Sequence, residues 1–404
     1  MEQKILYKNL VEGVVSALDL IYNEQYYADK IVEKTLKSNK KWGGRDRRFI
    51  AEAIYECVRW KRLYDEIAET NNHFSISNIW KIVGVYVVIN EFQIPAWNEF
   101  EGLNKELIFQ KYKSFQQVRA IRESIPDWLD ELGIEELQDQ WDSEIHALNQ
   151  KAEVILRVNT LKVSVEELQT QLENEGIHTE LLIHYPDALQ LKNRANIFRT
   201  LAFKNGLFEM QDASSQLVAP FLEVSPGMRV VDACAGAGGK TLHLASLMEN
   251  KGQLIALDIY EQKLEDLRKR AKRNSVYNIE TRFISSSKTI KKLKNSADRL
   301  LIDAPCSGLG VIRRNPDAKW KLNKNQIEQI KVTQKELLDQ YCDILKTGGK
   351  MVYATCSILP SENEKQVTSF LEKHLEFKLL KELKVSPSKS GFDGFYMALI
   401  EKIV

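Results

Sequence analysis

Two cysteines follow two apolar runs of the sequence, in an arrangement that could support covalent chemistry. The apolar run Leu300–Ile302 predicts a buried parallel strand that ends at Asp303, with Cys306 on the loop that follows. Lys350–Thr355 predicts a second strand, and Cys356 comes directly after it. The carboxyl ends of parallel strands line the ligand crevice of an open sheet. We therefore expect both thiols and the Asp303 carboxylate to face one cleft.

A glycine-rich loop upstream predicts a site for a nucleoside cofactor. The predicted strand Arg229–Cys234 leads into the sequence DACAGAGGKT, which opens a helix, and Asp258 ends the next strand 19 residues beyond Gly239. An acid at about that distance is typical of ribose binding. An ATPase loop would need a glycine where Ala235 stands, and a dinucleotide dehydrogenase would need the spacing G-x-G-x-x-G. A turn that binds no ligand is the remaining alternative.

Length, charge and cysteine content limit the class of protein. The chain has 404 residues, which predicts two to four domains, and a net charge of +1, which indicates no overall attraction to nucleic acid. Its five cysteines, an odd number, are not typical of a disulfide framework and fit a reducing cytosol. The longest apolar run, Ile82–Ile89, is too short to span a bilayer. We expect a soluble, cytoplasmic, monomeric protein with no membrane partner and, since its six histidines lack ligand spacing, no metal.

Residues 1–150 predict a helical domain with an acidic connector. Leu10, Val14, Leu18 and Ile21 recur at helical spacing. Residues 37–48 carry six basic residues and one acid, which indicates either a solvated helix start or a phosphate-binding patch. Residues 123–144 contain nine acids and no base, so they are not expected to bind nucleic acid.

Residues 151–205 predict a small α+β module. Strands are expected at Val154–Asn159, Thr179–Ile183 and Ala188–Lys192, and Ser164 with Glu167 forms a capping-box pattern that opens a helix. The module either faces RNA through Arg157 and Asn159 or serves as a spacer.

Residues 206–404 predict a doubly wound α/β domain, because strand and helix patterns alternate along them. The expected strands are Arg229–Cys234, Gln253–Asp258, Thr281–Ser285, Arg299–Asp303, Lys350–Thr355 and a final one from Gly394, and the expected helices include Thr241–Glu249 and Glu261–Arg273.

Three motifs resemble those of a known family. DACAGAGGKT, LIDAPCSGLGVIRRNPDAKW and YATCSILPSENE are similar to motifs of the RsmB-like (Sun/Fmu-type) RNA cytosine-5 methyltransferases. The resemblance extends to Phe208–Gln216, to the final DGFYMALIEK, to LRVNTLK in the family's RNA-recognition-like module, and to GGRDRRFIAEAIYECVRWKRLYDEI in its NusB-like helical domain. It implies a class I, Rossmann-like methyltransferase fold, S-adenosylmethionine as cofactor, and 5-methylation of cytosine in RNA.

The resemblance also implies roles for individual residues. Asp258 would hold the ribose, Asp303 would lie between cofactor and base, Cys356 would be the nucleophile, and Cys306 would assist product release. The methionine end of the cofactor would be cradled by Cys234, Ala235, Gly236, Ala237, Gly238, Gly239 and Lys240. Two positions depart from the family pattern: Gly236-Ala237 replaces Ala-Pro, and Ser286 stands where an acid near the adenine is usual.

The proposed chemistry explains the need for reactive thiols. Cytosine C5 becomes nucleophilic once a thiolate adds at C6, and the adduct must later be resolved, so one difficult step is divided into easier ones. A carboxylate beside a thiol raises its pKa, so we assign Asp303 to the cytosine N3/N4 edge, with Lys240 as its counter-charge. DNA cytosine-5 methyltransferases use the cysteine of a Pro-Cys motif, which here is Cys306. The second thiol, Cys356, favours the RNA enzymes.

The RNA contacts expected from these patterns are Arg45, Arg47, Arg48, Arg157, Asn159, Arg313 and Arg314. Ribosomal RNA is the expected substrate. The alternatives are a tRNA enzyme with the same chemistry and a non-catalytic RNA-binding assembly factor.

Overall fold

The computed structural model describes residues 5–404 and divides the chain into two compact units. The first comprises the chain up to Gln150 together with Ile312–Lys324, and the second comprises Lys151–Val311 and Asn325–Val404. This differs from the expected three domains in two respects. The small module and the doubly wound sheet belong to one unit, and thirteen residues shortly after Cys306 belong to the helical one. No helix within residues 5–404 is long and apolar enough to cross a membrane.

The first unit is all-helical, as the apolar spacing predicted. The helices are α1 (Lys8–Tyr22), α2 (Ala28–Ser38), α3 (Gly44–Arg59), α4 (Lys61–Ala68), α5 (Ile76–Ile89), α6 (Lys105–Phe115), α7 (Arg119–Arg122), α8 (Asp127–Leu137) and α9 (Trp141–Leu148). Buried residues such as Leu10, Val14 and Leu18 on one face of α1 form a continuous core with helices α2 to α6.

The small module is a four-stranded antiparallel sheet at the start of the second unit. The predicted capping box is present, because the Ser164 hydroxyl accepts from the Glu167 N–H and the Glu167 carboxylate accepts from the Ser164 N–H. Its elements are β1 (Ile155–Val158), α10 (Val165–Asn174), β2 (Thr179–Leu181), β3 (Ala188–Leu191), α11 (Leu201–Lys204) and β4 (Phe208–Met210), in the sheet order β2-β3-β1-β4. Strand β4 lies beyond residue 205, so the predicted module boundary was too early.

The rest of the second unit is built around a seven-stranded sheet. Its elements are α12 (Ala213–Gln216), α13 (Val218–Phe221), β5 (Arg229–Asp232), α14 (Gly239–Leu247), β6 (Gln253–Asp258), α15 (Glu261–Arg273), β7 (Ile279–Phe283), α16 (Ser287–Lys291), β8 (Ala297–Asp303), α18 (Lys324–Tyr341), β9 (Leu345–Thr355), α19 (Glu364–Lys373), β10 (Phe377–Val385), α20 (Pro387–Ser390) and β11 (Phe395–Lys402). The short helix α17 (Ala318–Lys321) belongs to the first unit.

The strand order is β10-β11-β9-β8-β5-β6-β7, and the five strands from β9 to β7 are parallel. Strand β11 runs antiparallel to both β9 and β10. This mixed α/β architecture confirms the expected class I, Rossmann-like methyltransferase fold. The chain adds β6 and β7 on one side of β5, and then β8 and β9 on its other side. A ligand crevice is therefore expected between β5 and β8, outside the carboxyl ends of these strands.

Candidate active site

The two cysteines lie next to each other at the carboxyl edge of the sheet. Strand β8 ends at Asp303 and β9 at Thr355, and the loops that follow bring the Sγ atoms of Cys306 and Cys356 to 3.3 Å. The hydrogen bond to Cys356, burial, and the charges of Cys356 and Glu362 together raise the pKa of the Cys306 thiol. The two thiols are therefore close enough to share a hydrogen bond, in which either sulfur can be the donor.

An ion pair stands beside the thiols. Lys240 Nζ donates to a carboxylate oxygen of Asp303 at 2.7 Å. Burial disfavours the charged lysine, but the charge and hydrogen bond of Asp303 outweigh it, so the pKa of Lys240 is raised. The ammonium also lies 5.1 Å from the ring centroid of Phe395. The site thus holds a fixed positive charge next to a carboxylate.

The glycine-rich loop connects β5 to α14 and leaves its inner face open. Gly236 has φ +54°, and a Cβ added at Gly236 or at Gly239 would meet nothing within 4 Å. Gly238 serves the fold instead. Its φ is +88° and a Cβ there would lie 2.0 Å from Leu267 of α15.

Asp258 joins the loop to the end of β6. One carboxylate oxygen accepts the Gly236 N–H at 2.8 Å, and the other accepts the Tyr260 N–H at 2.8 Å. Each oxygen keeps a further lone pair, so the side chain can hold the loop and still accept from a hydroxyl group.

These groups line one cavity of about 510 Å³. Such a volume is typical of small-molecule sites. Its wall is partly apolar, with Ile284, Leu337 and Tyr341 beside the polar groups. The expected site residues that line it are Cys234, Ala235, Gly236, Ala237, Gly239, Lys240, Asp258, Asp303, Cys306 and Cys356.

Two expected cofactor residues do not line this cavity. Gly238 faces Leu267, and Ser286 is an exposed residue at the start of α16. The expectation that Ser286 replaces the adenine-side acid stays a prediction, and its position outside this cavity does not support it. Ile284, two residues earlier, is the lining residue after β7. An apolar side chain there provides packing rather than a charged hydrogen-bond acceptor.

Arg157 and Asn159 were expected to contact RNA, and the structure contradicts this. Arg157 is buried and donates to the carbonyl oxygen of Gly239 at 2.5 Å and to the Gln211 side chain. Asn159 is also buried and donates to the carbonyl oxygens of Gly206 and Asn274. Both side chains are occupied in joining the small module to the large sheet.

Arg47 and Arg313 are likewise engaged in hydrogen bonds within the helical unit, Arg47 half-buried and Arg313 buried. The Arg47 guanidinium donates to the carbonyl oxygens of Leu36, Asn39 and Trp42 and so closes the turn before α3. Arg313 is buried and donates to the carbonyl oxygen of Ala147 within the helical unit.

The other residues expected to contact RNA are at least partly exposed. Arg45 and Arg48 are exposed on α3, and Arg314 is half-buried. Trp42, which lies in the same basic segment, packs against the helical core.

Sequence reasoning missed several residues that shape the site. Gln211, Ile259 and Tyr260 line the cavity but belong to no catalytic pattern. A fourth, Glu362, is buried behind the two cysteine loops and accepts from both. Its position six residues after Cys356, within YATCSILPSENE, was the available signal.

The strand order and the cysteine-lined cavity define a class I methyltransferase with a two-thiol site. The sequence model of the family described as 16S rRNA methyltransferase RsmB/F matches residues 219–401, and that of the RsmF/B-like ferredoxin-like domain matches residues 125–198. The second match covers β1, β2 and β3 of the small module.

Comparison with individual proteins gives the same assignment. The chain is 32% identical over 375 residues to the probable ribosomal RNA small subunit methyltransferase B of Bacillus subtilis, covering 87% of this chain and 78% of that protein. It is 35% identical over 277 residues to ribosomal RNA small subunit methyltransferase B of Proteus mirabilis, covering 69% of this chain and 65% of that protein. A methyltransferase homologue from Pyrococcus horikoshii superposes with a TM-score of 0.63 at 28% identity, covering 70% of this chain and 97% of that structure. The chain belongs to the RsmB/F methyltransferase family.

Proposed function

We propose that this protein transfers a methyl group from S-adenosylmethionine to C5 of a cytosine in small-subunit ribosomal RNA. The observation that carries the proposal is the pair of thiols, Cys306 and Cys356, 3.3 Å apart at the edge of a methyltransferase sheet. The names of the related proteins from Bacillus subtilis and Proteus mirabilis support ribosomal RNA as the substrate class.

The cavity suits the cofactor. The open faces of Gly236 and Gly239 let a ligand approach the backbone, Asp258 retains acceptor capacity at the end of β6, and the apolar wall can pack a flat ring. When bound, S-adenosylmethionine supplies an electrophilic methyl group on a sulfonium centre. In this proposal the loop Cys234–Lys240 holds its methionine end and Asp258 its ribose.

Cys356 is the proposed nucleophile. Its thiolate forms a bond to cytosine C6, and the electron pair displaced from the C5–C6 double bond makes C5 nucleophilic. Cys306 keeps its proton in this arrangement, because its hydrogen bond to Cys356 and its burial raise its pKa. After methylation, loss of the C5 proton to a base restores the double bond and expels the Cys356 thiolate. Cys306 is proposed to assist this last stage.

Asp303 and Lys240 are proposed to act on the base. Adding a thiolate at C6 places negative charge on the N3 side of the ring. Asp303 can share a proton with the N3/N4 edge as the adduct forms, and the Lys240 ammonium at 2.7 Å serves as its counter-charge. The fixed ion pair would thus stabilise charge that develops during attack.

The target cytosine must be unstacked, because C5 and C6 cannot be reached within a duplex. Exposed basic residues are the proposed contacts with the surrounding RNA. They are Lys40, Lys41, Arg45 and Arg48 of the helical unit and Arg268, Lys269 and Lys272 of α15.

The deciding experiment is methylation of small ribosomal subunits or naked rRNA from a strain that lacks the gene, using methyl-labelled cofactor. We expect label in small-subunit rRNA, and bisulfite sequencing should locate it as 5-methylcytosine. Label confined to tRNA would mean that the substrate is tRNA and not ribosomal RNA. Label on another base or another atom would contradict the chemistry.

A further inference from the structure

Glu362 is a buried carboxylate for which the mechanism above has no role. It is 0% exposed and ends the turn Pro360–Glu362 that follows β9. One of its oxygens accepts the Ser307 N–H at 2.8 Å. The other accepts the Ser357 hydroxyl at 2.6 Å and the Ser307 hydroxyl as well.

These serines directly follow the two reactive cysteines. One carboxylate therefore ties the loop of Cys306 to the loop of Cys356. The Ser307 and Ser357 hydroxyl oxygens also lie 3.2 Å apart, so the two loops meet behind the thiols.

A third element, helix α18, also donates a hydrogen bond to the Glu362 carboxylate. The Gln334 side chain of α18 donates to Glu362 at 3.0 Å and to the carbonyl oxygen of Pro305 at 3.0 Å. Helix α18 thus supports the Cys306 loop through the same group.

The donors that surround Glu362 are all neutral. A buried carboxylate is costly even when it is hydrogen-bonded, and a neutral residue could brace two loops at lower cost. The negative charge has a specific local effect, because it lies behind Cys306 and opposes ionisation of that thiol.

We propose that Glu362 is a positioning residue that clamps the two cysteine loops together and keeps the proton on Cys306, so that Cys356 is the sulfur that reacts. This inference rests on the proposed function and extends it, because it gives a structural reason for the different roles of two adjacent thiols. Glu362 acts only through the loops and does not touch the substrate.

The test measures thiol reactivity without RNA or cofactor. Each cysteine is alkylated with iodoacetamide across a pH series, and its peptide is quantified by mass spectrometry. In the unsubstituted protein we expect Cys356 to react at least tenfold faster than Cys306 near neutral pH. In Glu362→Gln, which removes the charge and turns an acceptor into a donor facing Ser307 N–H and Gln334, that ratio should fall by tenfold or more.

Glu364→Gln is the matched control. It removes a carboxylate two residues away, which pairs with Lys384 of β10. Its alkylation ratio should be unchanged. With methylation as a second readout, Glu362→Gln should lower kcat about a hundredfold while the KM for S-adenosylmethionine stays within about threefold.

A folded Glu362→Gln protein with the unsubstituted alkylation profile would overturn the proposal. If that variant does not fold, the double variant Ser307→Ala/Ser357→Ala decides instead, because it removes both hydroxyl contacts and keeps the charge. In this double variant the ratio of Cys356 to Cys306 alkylation should fall about threefold. An unchanged ratio would also overturn the proposal. Because alkylation needs no substrate, its result does not depend on which base, if any, the enzyme methylates.

Discussion

The guanidinium of Arg157 donates to the carbonyl oxygen of Gly239 at 2.5 Å and so joins the small module to the first turn of α14. Arg270 of α15 donates in the same way to the carbonyl oxygen of Ala237 at 2.6 Å. A buried arginine and a half-buried one therefore both hold carbonyl oxygens of the glycine-rich loop. The small module thus contributes directly to the shape of the proposed cofactor site.

Arg157→Lys should weaken binding of S-adenosylmethionine. Both contacts come from one guanidinium nitrogen, Nη1, and the lysine side chain is shorter. Its ammonium therefore cannot reach the position from which Nη1 bonds both Gly239 and Gln211. Loss of one such hydrogen bond is worth about 1–2 kcal/mol, which corresponds to a Kd roughly 5- to 30-fold higher. Titration calorimetry with the cofactor measures this directly.

Arg194→Lys provides the control for this measurement. Arg194 belongs to the same module but is exposed and donates only to the carbonyl oxygen of Ala152. Its cofactor affinity should stay unchanged. If Arg157→Lys melts at the normal temperature and binds the cofactor normally, the Gly239 contact does not shape the site.

Much of the large sheet could be predicted from the sequence. Helix Glu261–Arg273 and strand Gln253–Asp258 have the predicted bounds, because strong periodicity and a clear strand end mark them locally. The cysteine loops were predicted on the same basis. Strand β10 (Phe377–Val385) was missed, since it is an edge strand whose exposed lysines and glutamate hide the apolar pattern.

Other features depend on contacts that are distant in sequence. A basic residue in a short strand, such as Arg157, suggests RNA binding until the fold places the Gly239 carbonyl beside it. Similarly, Lys319 follows the cysteine motif, yet it is buried in the helical unit and donates to the carbonyl oxygen of Glu123 and to Asn149. Local patterns identify the residue types, but only the tertiary fold determines what each side chain contacts.

Neutralising the exposed basic patch around the start of α3 should weaken RNA binding and make that binding less dependent on salt. The variant replaces Lys40, Lys41, Arg45 and Arg48 with glutamine and leaves Arg47 in place, because Arg47 closes the turn. If all four contact phosphates, the slope of log K against log salt should become shallower by up to about 3, because fewer counterions are released. Filter binding across a salt series measures the slope.

The control for this experiment removes four exposed lysines of the second unit, Lys365, Lys378, Lys384 and Lys389. It changes the net charge by the same amount, so it separates a local contact from an overall charge effect. Equal slopes for both variants would mean that the patch is only a solvated surface. Cofactor affinity should be unchanged in both.

Buried Asp232 should make stability depend on pH. Burial raises its pKa from 3.8 to about 7, and its carboxylate accepts from the Thr241 hydroxyl at 2.7 Å. Between pH 4 and 7 the folded protein therefore holds a proton that the unfolded chain has lost. This contribution to the free energy of unfolding falls as pH rises through that window, by on the order of 4 kcal/mol.

Asp232→Asn isolates this effect. Asparagine resembles the protonated acid, so the variant should match the unsubstituted protein in Tm near pH 4 and exceed it near pH 8. Burial lowers the pKa of His243 to about 4 despite its contact with Asp187, which gives the opposite slope, but His243 is present in both proteins and cancels in the difference. A difference in Tm that does not change with pH would contradict the assignment.

The two cysteines should differ in the covalent species that they form. Cys356→Ala lacks the proposed nucleophile, so it should be inactive and should never become attached to RNA. Cys306→Ala retains Cys356, so it should attack and methylate but then stall, accumulating a protein–RNA species that survives denaturing electrophoresis. Loss of folding cannot produce this species, because an unfolded variant forms no adduct, and the double variant should form none either. If the two outcomes are exchanged, Cys306 is the nucleophile and the chemistry follows the Pro-Cys pattern of the DNA enzymes. An adduct in the double variant would exclude both thiols as the nucleophile.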